Sequence, residues 1–312
     1  YALMDNKSAL MADWDLPRLK DILQELDTGA FEMELTGFLD AEIEDLMTQF
    51  HQSKKGLTLD DEIPEKVESI CKTGDLWQLG NHRLLCGDST KKDDVGRLMG
   101  GKGAALMVTD PPYGVNYDTS GENPKWRSDS LPMANDNLGK GQEAFWHNAL
   151  NLWPLRGDVY VFSPPGPPMA ALALSIQSVG IEHHQWLIWA KQQFVLGRLH
   201  YHYRHEHIFY GWKEKTSWNG SRTEDSVWDC ERPFKSPEHP TMKPMALCEK
   251  AIKNSSKLGY IVLDPFGGSG STMIACEKLG RRCFMMEIEP HYCDVIIERW
   301  QQFTGREADK LA

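Results

Sequence analysis

The sequence predicts an α/β fold built on a doubly wound, mostly parallel sheet, and three observations carry that expectation. From Asp75 onward, short apolar runs alternate with helical patterns, as strands and crossover helices do in such sheets. The run Ile261-Val262-Leu263 has the composition of a buried strand and breaks into Asp264-Pro265-Phe266-Gly267-Gly268-Ser269-Gly270 before a helix begins at Ser271. A second run, Ala104 to Thr109, ends in Asp110-Pro111-Pro112-Tyr113. Each of these turns therefore closes a strand.

Residues 1–55 read as a small, acidic helical appendage. Asp15 ahead of Pro17 supplies an N-cap and an early-turn proline, and Leu16, Leu19, Ile22, Leu23 and Leu26 keep helical spacing. A second helix follows Asp40, with Glu42, Glu44 and Asp45 near its positive end. Over residues 56–74 the periodicity fades into an acidic stretch holding Pro64, read as a linker, and residues 75–312 form the main domain. This domain opens on a hairpin, Leu76 to Leu79 and His82 to Cys86 around a Gly80-Asn81 turn. A helix through Val95, Leu98 and Met99 precedes the strand Ala104 to Thr109. Further strands are expected at Val159 to Ser163, Trp186 to Ala190, His205 to Trp212, Ile261 to Leu263 and Cys283 to Glu287, with helices near 142–152, 168–178, 244–256, 271–279 and 290–303.

With 312 residues and 41% apolar composition, the chain can bury one large core. No stretch of about 18 apolar residues and no secretory pattern is present, which leads us to expect a cytoplasmic protein without a membrane partner. Cys71, Cys86, Cys230, Cys248, Cys276, Cys283 and Cys293 have no C-x-x-C spacing, so reduced thiols are expected and no metal site. The net charge of −11 argues against a nucleic-acid partner until it is located. Residues 1–70 hold 17 Asp/Glu against 6 Lys/Arg, leaving 28 against 28 beyond them, so the main domain has room for a local basic face.

The glycine turn suits a nucleoside. Its glycines admit close backbone approach, and the next strand ends in Glu287, whose carboxylate at a strand tip can accept both ribose hydroxyl hydrogens. No G-K-[ST] loop is present, which disfavours a triphosphate. The Asp110 turn suits an exocyclic amino group of a flipped base. Such a nitrogen, its lone pair delocalised into the ring, attacks a methyl donor only when acceptors draw its hydrogens. Asp110 and the Pro111 carbonyl provide two, Pro111 and Pro112 fix the turn, and Tyr113 offers a flat face for the base.

In motif order, base turn before cofactor turn, residues 75–303 resemble the circularly permuted β class of S-adenosylmethionine-dependent DNA amino-methyltransferases. The resemblance implies a Rossmann-like methyltransferase fold, S-adenosyl-L-methionine as cofactor and DNA as partner. Gly87-Asp88 resembles the position whose aspartate bonds the cofactor's adenine amino group, and Phe266 the aromatic beside its methionine moiety. His239-Pro240-Thr241-Met242-Lys243-Pro244 resembles the family's H-P-T-x-K-P element, implying that Thr241 and Lys243 help hold the methionine carboxylate. With Asp264, Gly267, Gly268, Gly270 and Glu287 these complete the cofactor set; Tyr203-Arg204-His205-Glu206-His207 resembles the segment flanking the base pocket. An aspartate at 110 is the pattern usually seen with N6-adenine enzymes, N4-cytosine being the alternative. C5 methylation is excluded, since the chain has no Pro-Cys pair to supply the nucleophile. Methylation of RNA or of protein glutamine, or a non-enzymatic DNA adaptor, are readings from other classes.

His200, His202, His205 and His207 alternate on strand-like faces but lack a completing carboxylate or cysteine, so no metal is assigned. Aromatic and basic residues interleave from Arg198 to Arg222, with Arg204, His207, Trp212, Lys213, Lys215 and Trp218, a pattern suited to phosphates and bases. The target-recognition insert is limited to about residues 213–238, too short for an independent groove-reading domain, and the 114–141 loop with Lys125, Trp126 and Arg127 is the other DNA-facing candidate. Short or relaxed sequence specificity follows, and a symmetric homodimer would supply further contacts. In the appendage, Asp5-Asn6-Lys7, Trp14-Asp15 and Leu35-Thr36-Gly37-Phe38 resemble the region that follows a ParB-like domain in ParB-methyltransferase fusions, although no ParB-like core lies within residues 1–312.

Overall fold

The computed structural model describes residues 64, 67–112, 142–195, 200–231 and 243–311; the helices expected over residues 1–55 lie outside them. The strands are β1 (Leu76–Leu79), β2 (His82–Cys86), β3 (Ala104–Thr109), β4 (Leu155–Ser163), β5 (Glu182–Val195), β6 (Tyr203–Lys213), β7 (Val227–Asp229), β8 (Ile261–Asp264), β9 (Arg282–Glu287) and β10 (Asp309–Lys310). The helices among the described residues are α1 (Lys92–Met99), α2 (Gln142–Asn151), α3 (Pro167–Ser178), α4 (Met245–Ser255), α5 (Ser271–Lys278) and α6 (Pro290–Thr304).

One sheet has the order β10-β1-β2-β9-β8-β3-β4-β6-β5-β7. Its five central neighbours, β2, β9, β8, β3 and β4, run parallel, and the antiparallel β1 and β6 flank them. Chain order reverses between β8 and β3: β3 continues to β4 on one side, β8 to β9 on the other. That makes the crevice above β3 and β8 the topological switch point, where an open sheet leaves room for a ligand at its carboxyl edge.

Side-chain alternation explains why helices cover both faces. Leu106, Val108, Val262, Cys283 and Met285 enter a core with Leu247, Ala251, Ile274, Ile296 and Trp300 of α4, α5 and α6. Their neighbours Met107, Leu263, Phe284 and Met286 enter a second core with Val95, Leu98, Trp146, Leu150 and Ile176 of α1, α2 and α3. Strands buried on both faces need apolar runs without polar alternation, as Ala104 to Thr109 and Ile261 to Leu263 display. Helix ends follow local chemistry: Asp93 and Asp94 occupy the first turn of α1, Pro290 opens α6, and Gly305 closes it in the left-handed region with its N–H on the Gln301 carbonyl.

The strands and helices expected after Asp75 are found, with boundaries displaced by a few residues. Two strands are additional: β7, pairing in parallel with β5, and β10, pairing with β1. They are three and two residues long, too short to carry a periodic pattern. Residues 191–205 group in a second compact unit, separate from the one containing 57–190 and 206–312. Within that segment, Phe194 stacks on His202 at 5.2 Å and Tyr203 meets His205 edge-on at 5.6 Å. Among the described residues no helix is long and apolar enough to cross a membrane.

Candidate active site

The site is built on the carboxyl ends of β2, β9, β8 and β3. At the tip of β8, Asp264 Oδ1 accepts the Thr109 hydroxyl at 2.7 Å and the Phe266 N–H at 3.2 Å. Thr109 is the last residue of β3, so this bond joins the two turns singled out in the sequence. Burial raises the Asp264 pKa to about 7, against the opposing pull of Thr109, Thr272 and the Phe266 amide.

Beyond Asp264 the chain turns through Gly268 (φ +50°) and Gly270 (φ +82°), both left-handed. A Cβ on Gly267 would fall 2.8 Å from the Met285 side chain, so this stretch lies directly on β9. Arg299 of α6 donates to the Ser269 carbonyl at 2.8 Å and steadies the turn from behind. Glu287, at the tip of β9, accepts the Gly268 N–H at 2.8 Å on one oxygen and the Glu289 N–H at 3.0 Å on the other. Its pKa is also lifted to about 7, by burial first, with those amides pulling the other way. Asp88 follows β2, whose Cys86 pairs with Glu287, and its carboxylate accepts the Thr90 N–H at 2.9 Å and hydroxyl at 2.6 Å. The neighbouring Ser89 hydroxyl donates to the Pro265 carbonyl, tying this loop to the glycine turn. A cradle of glycine backbone with carboxylates at adjoining strand tips fits a nucleoside-bearing cofactor.

On the β3 side, Asp110 Oδ2 lies 2.7 Å from Lys243 Nζ, which is also 3.3 Å from Glu206 Oε2 and 5.6 Å from the centre of the Phe162 ring. The Lys243 side chain is 9% exposed, against 28% for Asp110 and 18% for Glu206. Burial alone would lower the lysine's pKa; Asp110 and Glu206 outweigh it and hold the ammonium above its ordinary range. The Pro112 carbonyl accepts the Trp146 indole N–H at 3.0 Å, which pins the Asp-Pro-Pro turn to α2, and Phe266 faces Phe145 of the same helix at 6.0 Å.

Among the residues singled out in the sequence, the structure gathers Asp88, Asp110, Pro111, Pro112, Lys243, Asp264, Phe266, Gly267, Gly268, Gly270 and Glu287 along this edge. Tyr113, Lys125, Arg127, Arg198 and Thr241 lie outside the described residues, and Arg204 falls in the second unit. His207 sits opposite Ser163 near the site, but its ring packs edge-on against Trp186 at 5.8 Å.

Lys213 and Lys215 lie apart from this edge. Because β6 runs antiparallel to β4, with Ser163 opposite His207 and Gly157 opposite Lys213, both lysines leave the sheet at the end away from Asp110. Six residue steps of strand separate the two ends, roughly 20 Å. The expected insert starts as a strap on that far end, residues 213–219, and then returns through β7 beside Ile188–Ala190 of β5. Ser217 donates to the Ser255 carbonyl at 2.8 Å, Asn219 to the Lys253 and Asn254 carbonyls at 2.7 Å, and Trp228 is buried in β7. Trp212, read as a base contact, packs on His184 at 4.7 Å, while Arg222 is exposed in the turn before β7. Sequence reasoning missed the roles of Thr109, Arg299 and Glu206; for Glu206 the available signal was its place one residue before His207 in the segment already flagged.

Residues 104–298 match the family model described as DNA methylase of the N6/N4 type, and residues 17–73 match that of the ParB-methyltransferase HTH domain. Among curated relatives, the type II methyltransferase M.HpaI of Haemophilus parainfluenzae is 26% identical over 253 residues, 72% of this chain and 76% of its own length. The type II methyltransferase M2.DpnII of Streptococcus pneumoniae is 33% identical over 115 residues, 36% of this chain and 40% of its own. Among solved structures, M1.HpyAVI bound to SAM aligns with a TM-score of 0.51 at 22% identity, covering 69% of this chain and 97% of that one. The cytosine-N4-specific PvuII DNA methyltransferase aligns with a TM-score of 0.53 at 16% identity, covering 72% and 91%. These structural likenesses support the fold.

Proposed function

Since the chain belongs to the N6/N4 DNA methylase family, we propose that it methylates the N6 amino group of adenine in DNA, using S-adenosyl-L-methionine. The observation that carries this reading is the Thr109–Asp264 bond across the switch point, which sets an amino-group acceptor and a nucleoside cradle on neighbouring strands. When bound, the cofactor supplies an electrophilic methyl group. Asp88, Asp264, Phe266, Gly267, Gly268, Gly270 and Glu287 would hold it, with Glu287 placed to accept ribose hydroxyl hydrogens.

The remaining chemistry belongs to the chain's own groups. Asp110 and the Pro111 carbonyl accept the two hydrogens of the extruded amino group, which returns electron density to the nitrogen and aims its lone pair at the cradle. Pro111 and Pro112 keep these acceptors in place, with Trp146 holding the turn. The nitrogen exchanges one hydrogen for a methyl group and a proton is released. Asp110, where N4-cytosine enzymes more often carry serine, supports adenine as the base.

Specificity is short or relaxed in this reading. The 213–219 strap is committed to the far end of the sheet, and residues 17–73 hold 14 Asp/Glu against 6 Lys/Arg, a poor balance for phosphate contacts. Digesting DNA after incubation with the chain and isotope-labelled cofactor, followed by nucleoside mass spectrometry, tests the proposal. N6-methyladenine is expected; N4-methylcytosine would change the base, and unmethylated DNA would remove the function.

A further inference from the structure

The resemblance of His239–Pro244 to a cofactor-binding element assigns Lys243 to the cofactor's carboxylate, and in the structure its ammonium meets two carboxylates of the chain itself. Lys243 lies between two carboxylates, 2.7 Å from Asp110 and 3.3 Å from Glu206, with its side chain almost wholly enclosed and the Phe162 ring beneath it. Three elements far apart in sequence meet there: the end of β3, the start of β6 and the segment leading into α4. An enclosed ammonium needs compensating charge, and two carboxylates provide it.

The arrangement has a chemical use. Asp110 must act as an ionised acceptor, yet it stands in an acidic neighbourhood. Asp264 of β8 senses its charge, as does the Cys248 thiol of α4, and Glu206 faces it from β6 across the lysine. Like charges gathered in a half-enclosed site favour protonation, and a protonated Asp110 would lose acceptor capacity for the amino hydrogens. Lys243 opposes this, and Glu206 opposes Lys243.

We propose that Lys243 and Glu206 are a pair of positioning residues for the base half of the site: Lys243 keeps Asp110 ionised and aimed, and Glu206 holds Lys243 in place while moderating its charge. The role of Asp110 rests on the reading given under Proposed function; the effect of the pair on Asp110 does not.

Opposite signs distinguish this from a packing role. Lys243→Met removes a cation from Asp110, so the carboxyl's titration midpoint rises. Glu206→Gln removes an anion from beside Lys243 and Asp110, so the midpoint falls. Lys243→Arg keeps the charge and stays near the wild type. The measurement is a carbon-13 NMR titration of aspartate carboxyl carbons in the full, ligand-free chain, with the Asp110 signal identified by its loss in Asp110→Asn. With cofactor and DNA saturating, the acid limb of kcat should move in the same two directions. An opposite charge this close displaces a carboxylate's titration by about one to three pH units, so Lys243→Met should lose roughly ten-fold or more in kcat on the acid side and recover as pH rises.

Cofactor affinity, read by calorimetry, should change less than about three-fold in all three variants, which is below the loss of one hydrogen bond to a charged group. Midpoints that stay put, or that move the same way in Lys243→Met and Glu206→Gln, would overturn the proposal. A ten-fold loss of cofactor affinity in Lys243→Met with an unmoved Asp110 would return the lysine to the cofactor. If Lys243→Met does not fold, the downward displacement in Glu206→Gln decides. Should the wild-type chain methylate nothing, the functional reading fails while the titration still judges the pair.

Discussion

Asp158 and Asp264 are both aspartates enclosed within the same sheet, and they illustrate what separates a structural carboxylate from one in a site. Asp158, in β4, is fully buried and its donors all come from the protein: Ser255 Oγ at 2.5 Å, the Tyr210 hydroxyl at 3.2 Å and the Ser217 N–H at 3.0 Å. These donors belong to the end of α4, to β6 and to the strap, which close over it. Asp264 has protein donors as well, but it lies at the carboxyl end of its strand, before a left-handed glycine turn, with Glu287 at the tip of β9 and Asp110 just past the end of β3 in the same parallel set. Burial and a hydroxyl network are common to both. What distinguishes Asp264 is its place at the switch point, where the backbone opens and several carboxylates converge.

The most severe test of that contrast is Asp110→Ala. Removing a charge-assisted hydrogen bond formed to the reacting amino group should lower kcat by about two decades or more while cofactor binding persists. Turnover set against calorimetry separates these quantities, and near-normal turnover would take Asp110 out of the mechanism. Asp158→Ala should do the reverse. It removes the buried acceptor shared by the Tyr210 hydroxyl, the Ser255 hydroxyl and the Ser217 N–H, for a loss of about 3 kcal/mol in urea unfolding, with cofactor affinity unchanged. A loss of cofactor binding without a loss of stability would show that the two ends of the sheet are not independent.

The sequence made one end far more legible than the other. Asp264 to Gly270 and Asp110 to Pro112 stand in short, contiguous motifs whose backbone requirements restrict them, so their positions were readable before any coordinates. Strands β3, β8 and β9 were readable too, because burial on both faces leaves an unbroken apolar run. Glu206 and Thr109 depend on register. Whether a residue of β6 meets Lys243 follows from the pairing of β6 with β4, and no local pattern encodes it. Register governs Lys213 and Lys215 in the same way: composition sets them in a basic, aromatic segment, and strand direction decides which end of the sheet they reach.

Glu287 permits an intermediate test through pH. Its pKa and that of Asp264 are raised to about 7 in the folded chain, above the ordinary carboxylate values they regain on unfolding. Between about pH 4 and 7 the folded chain therefore binds more protons than the unfolded one, so this contribution to stability is greatest at low pH and declines as pH rises toward 7. Cofactor affinity should follow the opposite course, since ionised carboxylates accept hydroxyl hydrogens better: it should climb toward pH 7 and level off above it. Calorimetry across this range checks the slope. In Glu287→Ala, cofactor affinity should fall by about 1.5 to 3 kcal/mol and much of the pH dependence should vanish. A slope unaltered in the variant would assign the titration to another group.

The smallest expected effect lies at the far end of the sheet. A lysine that neutralises a DNA phosphate releases condensed counterions, so each such contact contributes close to one to the slope of log affinity against log salt concentration. Lys213 and Lys215 leave the sheet roughly 20 Å of strand from Asp110. A duplex delivering its base to Asp110 need not touch them. Replacing both by alanine should therefore leave the salt slope within about half a unit of wild type and change DNA affinity less than about two-fold at moderate salt. Fluorescence anisotropy over a salt series makes the comparison. If the slope drops by nearly two, DNA wraps past the carboxyl edge to the strap, and the functional surface includes the end of the sheet that Asp158 closes.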